Sequence, residues 1–158
     1  MKQSLKKITF DQNFDAICPG RGVKEESGRK LVPKNFVISH DNLETSTTGK
    51  IPKFRFEGLI FSTNCQFTDP FDGNIIKRES ELNIKSLEIQ LVRVETFEEK
   101  TQATEVQNIQ VADGDCVEDI EIPTYMLFPK LYSCASCEHA KFAINFQVNI
   151  IVIFHNGY

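Results

Sequence analysis

The 158-residue chain has no tryptophan, three histidines and two methionines. Without an indole, core volume falls to other side chains, and thirteen phenylalanines are there to supply it. Three histidines are too few to build much on. No Asn-x-Ser/Thr acceptor occurs, which excludes ordinary N-glycosylation. The longest apolar stretch, Ile150–Phe154, is far short of the roughly 20 residues that cross a bilayer as a helix. Met1–Lys7 is polar and basic with no apolar run after it, unlike a secretory signal.

Basic excess is missing too. The net charge is −4 and the pI about 5.4. Nucleic-acid binding needs clustered Lys and Arg to displace counterions, and anchoring on anionic lipid needs the same. Both classes are disfavoured, and no direct membrane insertion is expected. No phosphate loop, dinucleotide fingerprint or zincin helix is present, so no cofactor is expected. Five cysteines are an odd number, and without secretory features they read as reduced thiols of a cytoplasmic protein.

What is there is strand patterning. Residues 53–61, KFRFEGLIF, alternate Phe54, Phe56, Gly58 and Ile60 with polar residues. In NIKSLEIQLVRVE, 83–95, Leu87, Ile89 and Leu91 share a face, and Val92 and Val94 then break phase, which predicts a bulge or an end buried on both sides. TEVQNIQVA, 104–112, puts Ile109 and Val111 together. KFAINFQVNIIVIFH, 141–155, carries an unbroken period-two stripe from Phe142 to Phe154, and Ile151 and Ile153 make its end apolar on both faces. That run is long for one sheet, so it should bend or pass from a half-exposed region into a covered one.

NFVISH, 35–40, is a further candidate strand, and YMLFPKL, 125–131, reads as a core strand ended by proline or as an exposed Met–Phe patch. Asp72-Gly73 and Asp113-Gly114 are hairpin dipeptides. No segment sustains a 3.6-residue period with caps. The expectation is an all-β, immunoglobulin-like antiparallel sandwich. Residues 1–33 look like a remnant of another unit plus a Gly- and charge-rich linker, and 34–158 like the sandwich.

Chemistry was sought in three places. Asp113 and Asp115 flank Gly114, but a solvated hairpin tip gives a catalytic carboxylate pair no cleft. With Glu118 and Asp119 they could offer oxygens to calcium, without EF-hand spacing. What remains for this stretch is a plain turn or a protein-binding tip. Cys134, Cys137 and His139 in CASCEH are spaced like part of a zinc knuckle, with Cys116, His155 or Cys18 as distant fourth ligands, or they are a loop with two thiols. A redox motif would need a βαβ context, which is missing. His40-Asp41 has no nucleophile elbow to serve. No enzyme is expected.

LEIQLVRVET (87–96), EVQNIQVADGD (105–115), IPTYMLFPKLYSC (122–134) and FQVNIIVIFH (146–155) together resemble the arrestin-like vacuolar-sorting subunits, and the retriever branch more than the retromer branch. The resemblance covers roughly residues 50–158. It implies the C-terminal β-sandwich lobe of a two-lobed scaffold that recycles cargo on endosomes, with an α-solenoid subunit and possible cargo adaptors as partners. Carried over residue by residue, it implicates Val111, Ala112, Asp113 and Gly114 in docking that solenoid. It also implies that one last strand is lacking. The open edge would invite strand-mediated self-association, or be covered by residues 5–17.

Overall fold

The computed structural model describes residues 33–42, 52–63, 65, 69–114, 116–134 and 136–155. Among them every regular element is a strand: β1 (Lys34–Ser39), β2 (Phe54–Ile60), β3 (Phe71–Ser80), β4 (Ile84–Phe97), β5 (Lys100–Asp113), β6 (Glu121–Met126), β7 (Cys137–His139) and β8 (Phe142–Phe154). All pairings are antiparallel, in two sheets ordered β1-β2-β3-β6 and β5-β4-β8-β7. The expected all-β sandwich is the observed one.

Alternation dictates what the sheets bury. On β2, Phe54, Phe56 and Ile60 turn inward; on β4, Leu87, Ile89 and Leu91; on β8, the even-numbered residues from Phe146 to Phe154. Six phenylalanines (36, 54, 56, 71, 146 and 154) sit in this one cluster, so Phe does fill the volume that no indole occupies. The rings of Phe54 and Phe154 meet across the sheets, their centroids 5.6 Å apart. β8 begins exposed at Phe142 and is covered from Phe146 onward, the passage its long stripe predicted.

Two sequence expectations need correction, and one alternative is decided. Asp72-Gly73 is no turn: both residues lie inside β3, paired with β6. Gly73 points inward between Phe71 and Ile75, and a Cβ there would stand 2.4 Å from the Leu59 carbonyl oxygen. The glycine serves a close approach of strands rather than a reversal. The tight hairpin lies elsewhere, at Glu98-Glu99 between β4 and β5, with Glu98 at φ 53°. Asp113-Gly114 does end a strand, with Gly114 at φ 78°, yet it makes no hairpin tip. The next strand, β6, belongs to the other sheet, so this turn launches a crossing between layers. In 125–131 the strand stops at Met126, which is fully buried, while Tyr125 and Leu127 face solvent. An exposed Met–Phe patch is therefore ruled out at Met126, and Phe128 packs partly against the core.

Candidate functional site

β5 is the edge of its sheet and is mostly exposed. Its register on β4 slips twice. Leu87 faces Ala112 and Glu88 faces Gln110, so Val111 is an extra residue without a partner across the ladder. Leu91 and Val92 face Gln107 and Glu105, which makes Val106 the second. The phase break seen in the sequence of β4 thus has its extra residues on β5. A bulge bends the strand and re-aims side chains. Here it lets neighbours Val111 and Ala112 both rest partly on the core cluster while staying half-exposed. Asp113 beyond them is exposed, and the Gly114 N–H donates to the Lys85 carbonyl at 2.9 Å, closing the strand end. Nothing lies within 4 Å of where a Gly114 Cβ would be, so only its left-handed backbone calls for glycine. The four implicated residues are therefore contiguous and accessible at one end of the molecule.

The crossing that follows is tied down by β3. Lys77 occupies an inward position after Phe71, Gly73 and Ile75, and runs its apolar stem through the core edge. Its ammonium donates to the Cys116 carbonyl at 3.0 Å and stands 3.7 Å from a Glu118 carboxylate oxygen. The Asp119 N–H donates to the Lys77 carbonyl at 2.9 Å. On the outer side, Arg78 reaches Asp119 at 2.7 Å and Glu57 at 2.8 Å, and Arg55 reaches Glu57 at 2.8 Å. The Arg78 guanidinium, then that of Arg55, holds the Glu57 carboxyl below its ordinary value. Asp119, then Glu57, pushes Arg78 up in turn.

That arrangement answers the carboxylate question for the residues in view. Glu118 and Asp119 are countered by the basic residues of β3 and do not converge on a shared centre; Asp115 lies outside the described residues. Among the described residues no three His, Cys, Asp or Glu side chains gather closely enough to hold a metal ion. Cys134 and Cys137 are exposed, free thiols. His139 stacks its ring on Phe142, centroids 5.5 Å apart. Cys116 is buried at the crossing and His155 is exposed at the end of β8; Cys18 is outside the described residues. His40 pairs with Asp41 at 3.1 Å, a contact between sequence neighbours. An open groove of about 960 Å³ lies near the β4–β5 hairpin, lined by Glu95, Phe97, Lys100, Phe142 and Ile144, at the far end of β5 from Val111.

A family model described as Vacuolar protein sorting-associated protein 26 matches residues 66–157. The chain belongs to the Vps26 family. A curated relative, "Vacuolar protein sorting-associated protein 26C" of Dictyostelium discoideum, is 37% identical over 168 residues, taking in 100% of this chain and 55% of its own length. The chain spans about half the length of that relative. The family's arrestin-like sandwich is the architecture seen here, and the Vps26 match takes in every strand from β3 to β8.

Sequence reasoning missed Lys77, Arg78 and Glu57. A signal was available for one of them: Lys77 continues the inward parity of Phe71 and Ile75, and a lysine in phase with a core stripe must find an acceptor at its tip. Arg78 and Glu57 gave none, because their partners come from three separate parts of the chain.

Proposed function

We propose that this chain is a non-enzymatic scaffold subunit of a retriever-like endosomal cargo-recycling complex, held in the cytoplasm and peripheral on endosomes. It docks an α-solenoid partner through Val111, Ala112, Asp113 and Gly114. The observation that carries this reading is the bulge at Val111. It sets two small apolar side chains side by side on an edge strand, with a carboxylate next to them, at a strand end bonded to Lys85 of β4. A rigid, half-exposed apolar pair beside a charge suits docking, because little order remains to be imposed on binding. The turn-only reading accounts for Gly114 but gives no reason for the bulge one turn earlier.

The mechanism is presentation without bond chemistry. Membership of the Vps26 family supports a sorting role, and among the described residues there is no helix long and apolar enough to cross a membrane. The test is co-purification of tagged full chain with its α-solenoid partner. Val111→Asp should reduce recovery at least ten-fold while the far-ultraviolet spectrum and unfolding midpoint stay near those of the parent. Undiminished recovery with Val111→Asp overturns the docking role.

A further inference from the structure

The two halves of β5 present different edges. From Val106 onward the bulges interrupt its ladder with β4. Before that the register is unbroken: Lys100, Thr101, Gln102, Ala103, Thr104 and Glu105 face Phe97, Thr96, Glu95, Val94, Arg93 and Val92 in turn. The Glu98 N–H donates to the Lys141 carbonyl, toward β8. Backbone groups alternate sides along a strand, so those of Phe97, Glu95 and Arg93 turn to β5 and meet Lys100, Gln102 and Thr104. The N–H and C=O groups of Thr101, Ala103 and Glu105 then point out of the sheet, where no described strand flanks β5. Residues 101–105, TQATE, carry none of the devices that blunt an edge: no proline, no lysine and no bulge. All but Thr104 are exposed. The other edges differ. β6 carries Pro123, and β7 is three residues long. Lys34 and Phe36 on β1, and Gln147 on β8, already make further interactions. The cover expected from residues 5–17 lies outside the described residues.

This edge is its own complement. A second copy running antiparallel, about a two-fold axis through Ala103, sets Ala103 opposite its counterpart and Thr101 opposite the second copy's Glu105. All the outward groups of Thr101, Ala103 and Glu105 are then paired. Gln102 lies opposite Thr104, so no like charges face each other. A centre at Gln102 sets Glu105 against Glu99, which repel, and a centre at Thr104 runs the pairing into the bulge at Val106. The second layers stay clear of each other. On the inward face of β4, exposure rises from 0% at Leu91 to 60% at Phe97, so the β1-β2-β3-β6 sheet stops short of this half of β5. In an antiparallel pair the two second sheets therefore lie at opposite ends. Val111 falls beyond the second copy's Glu98-Glu99 tip and stays open, so this contact is compatible with docking at that end.

We propose that two copies of this chain join edge to edge through β5, pairing residues 101–105 antiparallel about Ala103 into one continuous sheet. The test is sedimentation equilibrium of the full chain from low micromolar to near millimolar concentration. The parent should pass from the 18.0 kDa monomer to twice that mass. Ala103→Pro removes a donor that β4 does not use, so the fold should survive while the dimer weakens by about ten-fold or more. Thr101→Glu sets a like charge against the second copy's Glu105 at two symmetric places and should weaken the dimer roughly three-fold. Thr101→Lys sets an opposite charge there and should tighten it by roughly the same factor. A parent that stays monomeric throughout overturns the proposal. So does a dimer that Ala103→Pro leaves equally tight, or one whose affinity the two Thr101 variants shift in the same direction. Should Ala103→Pro unfold, the opposed shifts of the Thr101 variants decide.

Discussion

Lys77 shows how one residue can serve both layers of packing. Its stem fills an inward position and its ammonium donates to the Cys116 carbonyl at 3.0 Å. Lys77→Met preserves the stem and removes the donor. A hydrogen bond from a charged donor contributes about 1.5–3 kcal/mol, so denaturant unfolding should register a loss of up to that order. The crossing 116–120 should become more accessible to exchange in the same variant. Glu57 illustrates the surface counterpart. Its folded pKa is depressed below the ordinary 4.5, so its contribution is complete above that value and disappears as pH falls through the depressed one. Comparing Glu57→Gln with the parent, the difference in unfolding midpoint should be visible at neutral pH and vanish in acid below the folded pKa. High salt should shrink it too, because the pair is exposed. Arg78, pushed up by Asp119 and then Glu57, contributes across this whole range and is lost only in strong alkali.

At the scale of elements, the β4–β5 hairpin turns on Glu98-Glu99 with Glu98 left-handed. A side chain with a Cβ is strained there, by roughly 1–2 kcal/mol, whereas glycine is not. Glu98→Gly should therefore stabilise the chain by about 0.5–1 kcal/mol once the extra freedom of glycine in the unfolded chain is subtracted. A lower unfolding midpoint would show that the Glu98 side chain compensates for its backbone. This hairpin was hidden in the sequence because it lacks the Asn-Gly or Asp-Gly signature, while Asp72-Gly73 lies within β3 and Asp113-Gly114 leads to the other sheet. Sequence rules for turns describe what glycine permits. They do not register that Gly73 is needed because the backbone of β2 comes too near for a Cβ. The free edges differ as well. β6 carries Pro123 opposite Asn74, a residue that blunts an edge, and β5 bears two bulges.

For the molecule as a whole, one cluster joins both sheets, with Phe56 fully buried at 0% exposure near its centre. Phe56→Ala should cost about 3–5 kcal/mol. Because no second core exists among the described strands, probes placed in either sheet should report the same lowered midpoint. Separate transitions for β1-β2-β3-β6 and β5-β4-β8-β7 would contradict a single cooperative unit. Such a frame suits the proposed scaffold role: it backs the Val111 end with one core, and Lys77 and Arg78 fasten the crossing beside it.

The sequence alone determined that this is a β-sandwich and which residues face its core, because period-two alternation is a local property that each strand carries by itself. β2, β4, β5 and β8 were legible for that reason, as was the position of Val111, Ala112, Asp113 and Gly114 at a strand end. Only the tertiary structure decided that Asp113-Gly114 leads across layers, that Val111 is a bulge residue, and that Lys77 and Arg78 clasp the crossing. Each of those depends on which strands are neighbours, and pairing between distant strands is set by the packing of the whole chain, with no trace in the residues on either side.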